Sequence, residues 1–385
     1  MFDHDYIYKL ICLIYYPVIG IPASVRLGIL ILVTLLVLTT VTSVSSLGVN
    51  WRVESNPSNW DDKAAGACVY GDRVYVVGFE GTDMGETRFR IEVRRAEDGG
   101  LVDEWVYDVA GVTGRLVDCV IAQGKLYVAG YTALVNNQID TRIEIWMFDL
   151  NLEVIDRVFV DISDWEDKPS AITADDRYLY LVGHYSLSGE VQSTYVESRR
   201  LSDLSLIWSY KHEPEFMLGN WGYGIAISPV TDELWVVGSA WEWVGEDLEQ
   251  HWRILRLDKE SGELLRKHSL NINGKPYAID FDDAGNAYIA GIENIAKVNS
   301  IGKLLKVKEM PGVDLYKILV DGNKVYIAGN EEIEGYTRHV FYTLNTELNP
   351  YSRGTFRRIL SLDIKANAYF ETGKMTMYED YIYLA

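Results

Sequence analysis

Two short segments, Ser58-Asn59-Trp60-Asp61-Asp62-Lys63 and Ser163-Asp164-Trp165-Glu166-Asp167-Lys168, set a tryptophan beside carboxylates and end on a lysine. Gly219-Asn220-Trp221-Gly222-Tyr223-Gly224 is a looser third copy. An exposed indole stacks on a sugar ring, and neighbouring carboxylates accept hydrogen bonds from its hydroxyls. Trp60, Asp62, Trp165, Asp167 and Trp221 are on that reading candidate ligand-binding residues. The plainer reading wedges the tryptophans between structural units and uses the acids to cap turns.

Other residues invite chemistry of other kinds. Lys63, Arg115, Lys168 and Lys275 recur at matching places in the repeat that organises the chain. Around a channel mouth they would attract an anion; otherwise each pairs with a neighbouring acid such as Asp62, Asp118 or Asp167, at little energetic gain. The stretch 241–252 carries Trp241, Trp243 and Trp252, and exposed tryptophan is enriched where partners bind. Cys68 and Cys119 fall at near-equivalent places of adjacent repeats. They either bridge two units or, as preferred here, remain separate buried thiols, since neighbouring inner strands are expected to lie too far apart for a disulfide.

Much familiar catalytic chemistry has no signature. The histidines, at 4, 184, 212, 251, 268 and 339, are scattered, with no paired His/Cys metal spacing and no G-x-S-x-G turn. No catalytic residue, cofactor or metal ligand is assigned. The acidic stretches "FEGTDMGET", "AWEWVGEDLEQ" and "NEEIEGYTR" offer oxygen ligands for calcium without an ordered D-x-D-x-D-G ladder. The 36 basic and 56 acidic residues give a net charge of −20, which repels nucleic-acid phosphate and argues against a nucleic-acid partner.

The N-terminal region, 1–47, reads as an export device. After Arg26 the run "LGILILVTLLVLTTVTSVSSLG" is free of charge, and Ser43 to Ser46 offers small residues for signal cleavage. Uncut, the run is long enough to anchor the chain in a bilayer. Upstream, "YIYKLICLIYYPVIGIPA" is a second apolar segment, or the product of a start placed too early. The remainder is expected outside the cell or at its surface.

That remainder, 48–385, is a repeat. Segments ending "VYVVG", "LYVAG", "YLVG", "LWVVG", "YIAG" and "VYIAG" close on Gly78, Gly130, Gly183, Gly238, Gly291 and Gly329. An aromatic stands three residues before each: Tyr75, Tyr127, Tyr180, Trp235, Tyr288 and Tyr326, with Tyr383 in the last copy, "YEDYIYLA". Period-two alternation, turn pairs such as Gly71-Asp72 and an apolar segment before each turn predict four antiparallel strands per unit of about fifty residues. Stacked units then bury faces that one alone cannot. The fold class expected is all-β: a seven-bladed β-propeller of four-stranded blades. Its last blade is incomplete or closed by the N-terminal strand 48–55, and the chain reads as stopping within it. The short fifth interval comes from a short loop, "GIENIAKV", and not from a missing strand.

"GKPYAIDFDDAGNAYIAG" and "RILRLDKESGELL" resemble extracellular β-propeller repeats of the NHL and SBBP-like kind, "GNxYVAG" followed by "KLDxxGxLxW". The resemblance implies the fold and is nearly silent on function. Three roles stand: a cell-surface binding module for a glycan or protein, with a membrane contact if the N-terminus is uncut; a secreted polysaccharide lyase or hydrolase; or a structural surface-layer or filament subunit.

Overall fold

The computed structural model describes residues 53–350, except 54, 56, 59, 84, 190, 215–217 and 334–335, together with 363–364, 375–378 and 381–383. The 1–47 segment lies outside the described residues, as does most of the 48–55 strand. The first blade comprises β1 (Lys63–Tyr70), β2 (Arg73–Gly81), β3 (Thr87–Arg95) and β4 (Leu101–Tyr107). The second comprises β5 (Val112–Ala122), β6 (Lys125–Leu134), β7 (Asn137–Phe148) and β8 (Val154–Val160). β9 (Asp167–Ala174), β10 (Tyr178–Ser188), β11 (Val191–Arg200) and β12 (Leu206–His212) make the third. β13 (Asn220–Ile227), β14 (Glu233–Val244), β15 (Asp247–Asp258) and β16 (Leu264–Asn273) make the fourth. Each is an antiparallel sheet in sequence order, with its first strand innermost.

The next sheet departs from the expectation of seven separate blades. β17 (Pro276–Phe281), β18 (Ala287–Val298), β19 (Leu304–Asp321), β20 (Lys324–Ile333), β21 (Tyr336–Asn345) and β22 (Asp363–Ile364) form one six-stranded sheet. Among the described residues there are thus five sheets of four or more strands, accompanied by the hairpin β23 (Thr376–Tyr378) and β24 (Tyr381–Tyr383). The cause is loop length. The Lys297 ammonium lies 5.5 Å from the Tyr288 ring. An extended strand would separate residues nine apart by about 30 Å. β18 therefore folds back on itself near Glu293, whose φ is +54°. β19 likewise pairs with β18 through its first half and with β20 through its second, around Gly312 at φ +75°.

The repeated glycine answers to one backbone feature. Opposite each, the inner strand carries a one-residue bulge: Ala65, Val117, Ser170, Tyr223, Tyr277 and Tyr316. The bulge swings a carbonyl towards the glycine, so that a Cβ would lie 2.0 Å from the Lys63 oxygen at Gly78 and 2.5 Å from the Arg115 oxygen at Gly130.

At Tyr75, Tyr127 and Tyr288 the repeated aromatic joins one blade to the next, whereas Tyr180 donates to Asp175 of its own unit. The Tyr75 hydroxyl donates to the Leu150 carbonyl at 2.8 Å, Tyr127 to Leu201 at 2.6 Å and Tyr288 to Thr346 at 3.0 Å. Each acceptor lies just beyond the third strand of the following unit. Tyr383 on β24 donates in the same sense to Ala96, just past β3, at 3.4 Å, and its ring packs with Ala67 and Val74. The innermost strands are clamped as well. The buried Asp118 carboxylate accepts from the Cys119 and Ile172 amides, both at 2.9 Å, and Asp280 accepts from Phe281 and Val320. Lys317, wholly buried on β19, donates to the Ala65 carbonyl at 2.9 Å.

Cys68 and Cys119 are joined as a disulfide, with Cα atoms 6.2 Å apart, which corrects the preference for separate thiols. Register is the reason. Cys68 pairs with Tyr75 but Cys119 with Val128, one step nearer its glycine. A one-residue offset turns a side chain to the other face of its sheet, so the two sulfurs face each other across the gap between blades.

Candidate functional site

The connections that enter the innermost strands and the hairpins between second and third strands open on the same face of the disc, because strand direction alternates within each blade. Trp60 and Trp165 lie on the former, Trp221 at the start of β13, and Trp241 and Trp243 at the end of β14 next to the latter.

The two closely matching segments fold alike. Ser58 donates through its amide and hydroxyl to Asp62, at 3.0 and 2.6 Å, and the Trp60 amide donates back to the Ser58 hydroxyl. Ser163 donates to Asp167 at 3.1 and 2.8 Å, and the Trp165 amide to Ser163. Asp62 also accepts from the Gly81 amide, and the Asp167 carboxyl is pushed up by burial. Asp62 and Asp167 thus serve the loop, as capping residues, rather than standing ready for sugar hydroxyls. The tryptophans do not wedge between blades: the pinned loop turns them outward, 54% exposed at Trp60 and 40% at Trp165.

Trp221 behaves differently. Its segment lacks the Ser–Asp cap, so β13 begins at Asn220 and Trp221 pairs with Ser239 as a half-buried strand residue. The stretch 241–252 is a regular hairpin: Trp241 pairs with Gln250, Trp243 near the tip is 59% exposed, and Trp252 belongs to the core.

The basic residues lie over aromatics of the preceding blade. The Arg115 guanidinium sits 4.4 Å above Phe79, the Lys168 ammonium 4.9 Å from Tyr131 and the Lys275 ammonium 5.9 Å from Trp221. Such contacts contribute about 0.5–1 kcal/mol at exposed sites. Lys168 pairs with Glu166 at 2.5 Å, not with Asp167, while Lys63 is half-buried at the start of β1. Deeper along the inner strands the bulge residues Tyr223, Tyr277 and Tyr316 form a row with centroids 5.4 and 4.7 Å apart. Burial pushes the Tyr277 phenol up to about 12 and raises that of Tyr223 as well, so both are neutral at physiological pH.

Glu166 anchors the area beside Trp165. It accepts from His184 at 2.9 Å as well as from Lys168. These hydrogen bonds, that from His184 first, outweigh burial and hold its carboxyl at about 2 against an ordinary 4.5. A depressed carboxyl stabilises the fold above its unfolded pKa and loses that contribution as pH falls through the folded value. Glu166→Gln is therefore expected to lower the thermal midpoint near neutral pH, and the gap to the native protein should close as pH drops from 4.5 towards 2. Melting curves across that range provide the check.

Two groupings escaped the sequence. One is the tyrosine row. The other is a cleft beside Trp221 whose polar walls include Thr194, His212, Asn220 and Arg253. Only Asn220, inside a motif already singled out, gave any signal. Among the described residues, no three or more His, Cys, Asp or Glu side chains gather as a metal site.

The described sheets and their junctions define an all-β propeller of four-stranded antiparallel blades. No protein-family model matches the chain, and no curated protein matches it. Among solved structures it is similar to the α-L-arabinofuranosidase Arb93A of Fusarium graminearum, solved with an iminosugar inhibitor: 11% identity over 76% of this chain and 96% of that one, TM-score 0.49. It is also similar to the phage phi92 endosialidase, 12% identical over 83% of this chain and 60% of that one, TM-score 0.46. The complex of KlAtg21 with the coiled coil of AgAtg16 gives 12%, 86%, 89% and 0.49 in the same order. At such identities and TM-scores, these likenesses say nothing about activity.

Proposed function

We propose that the chain is a seven-bladed propeller at the cell surface that binds a glycan on its tryptophan-bearing face. The observation that carries the reading is the matched pair of loops at Trp60 and Trp165, in which the same hydrogen bonds hold an indole out into solvent. Leaving a large apolar ring exposed forgoes about 1.5–3 kcal/mol of burial, and rigid exposed aromatics are suited to stacking on sugar rings. Seven-fold closure is supported by Tyr383, which reaches Ala96 as Tyr75 reaches Leu150. Export is supported by the Cys68–Cys119 disulfide, a bond favoured in oxidising compartments, and by the uncharged run after Arg26.

A glycan array followed by calorimetry on the positive ligand tests the reading. Trp60→Ala with Trp165→Ala is expected to weaken binding about tenfold or more while the melting temperature holds. Undiminished binding, or a fall in stability with no change in affinity, would overturn it.

A further inference from the structure

We infer that the cleft beside Trp221 is a subsite for one carboxylate oxygen, so that the glycan taken on this face is an acidic one; the inference rests on the glycan-binding reading above. The cleft lies between the third and fourth blades and has room for one water-sized particle. Asn220 in its wall is 2% exposed. Its Oδ1 accepts from the Thr194 amide at 2.7 Å and from the Thr194 hydroxyl at 2.8 Å. Those two bonds fix which way the amide faces. They leave Nδ2, a donor of two protons, buried with no hydrogen-bond partner. A buried donor without an acceptor is costly, and an oxygen placed in the cleft removes the cost.

The rest of the wall selects the kind of oxygen. Arg253, 6% exposed, is held from behind by Glu242, which also accepts from the Ser269 hydroxyl. The other end of its guanidinium approaches His212 Nε2 at 3.5 Å, and His212 Nδ1 lies 2.9 Å from the Tyr210 hydroxyl. A guanidinium and an amide NH2 are donors alone, so a cation is disfavoured and an acceptor with negative charge is preferred. The Lys275 ammonium lies over the indole of Trp221, which is part of the cleft wall. A cation over the indole and a cleft one oxygen wide, with the Asn220 amide and the Arg253 guanidinium in its wall, suit a sugar acid one of whose carboxylate oxygens enters.

Calorimetry with an oligogalacturonate and its methyl ester tests this. The acid is expected to bind about tenfold or more tighter than the ester. Asn220→Asp keeps the acceptor for Thr194 but replaces the NH2 donor by an anionic oxygen, and it should weaken the acid far more than the ester, so that the preference is lost. Should that variant fail to fold, crystals of the native protein soaked in bromide supply the second readout, an anomalous peak within hydrogen-bonding distance of Asn220 Nδ2. Equal affinity for acid and ester, an Asn220→Asp variant that retains the preference, or a cleft holding only water in bromide would overturn the subsite and leave the glycan reading intact. If neither acid nor ester binds, the subsite falls, and the glycan array alone decides the wider reading.

Discussion

Replacing Cys68 and Cys119 together by alanine is expected to lower the unfolding free energy by about 4 kcal/mol. The bond closes a loop of 51 residues, and chain-entropy bookkeeping for that length gives about 4 kcal/mol at 25 °C. Nothing in the native packing opposes the figure, because both side chains sit in one apolar cluster with Tyr75, Phe89 and Trp146, and alanine removes only a buried sulfur from each. Urea unfolding followed by tryptophan fluorescence measures the loss. Dithiothreitol should produce a similar shift in the native protein only slowly, since Cys68 is 6% and Cys119 0% exposed. A midpoint that is the same with and without the bond would show that it contributes nothing to holding the first two blades together.

Gly238→Ala should be strongly damaging for so small a change. The added Cβ would stand 2.0 Å from the Trp221 carbonyl oxygen and 3.0 Å from its carbon. Both are backbone atoms of the inner strand, so no side-chain rotation relieves the overlap. The strands must part, and the cost is expected to reach about 3 kcal/mol or more, the upper end of overpacking penalties. The damage also has a direction: the displaced segment carries Trp221 and Asn220, so ligand binding should suffer even where the protein still folds. Gly71→Ala is the control. It has φ +56° and open space around it, and should cost about 1 kcal/mol of backbone strain without touching the site. Denaturation midpoints for the two variants decide the matter, and equal losses would refute the account of the repeated glycine.

What was legible in the sequence follows from how far each relation reaches along the chain. Tyr127 and Gly130 stand three apart on one strand, so their spacing is fixed and visible. The bulge that demands the glycine lies across a turn, usually at one distance but further off at Tyr223 and Tyr277, and it falls on residues as unlike as Ala65, Val117, Ser170 and Tyr223, so residue type does not mark it. The acceptors of the tyrosine hydroxyls are backbone carbonyls at Leu150, Leu201 and Thr346, which leave no mark on residue type. Cys68 and Cys119 were visible as a pair. Their offset of one register step is the clue to a bridge, but it was read as near equivalence and so as distance. At the site each alternative was half right: the acids cap turns, as the plainer reading has it, while the tryptophans face outward, as the ligand-binding reading requires. The cleft draws Thr194 and Asn220 together across 26 residues, and no local pattern announces it.

The joint formed at Tyr75, Tyr127, Tyr288 and Tyr383 has a consequence for how such a fold comes to exist. The donor is a side chain at a fixed place in one copy, while the acceptor is a peptide carbonyl that any amino acid supplies. A newly duplicated copy would therefore mate with whatever stands ahead of it, needing no matched change in its neighbour. Between the joints the copies can drift apart freely, which accounts for units as unlike as "GDRVYVVG" and "AGNAYIAG" in one chain.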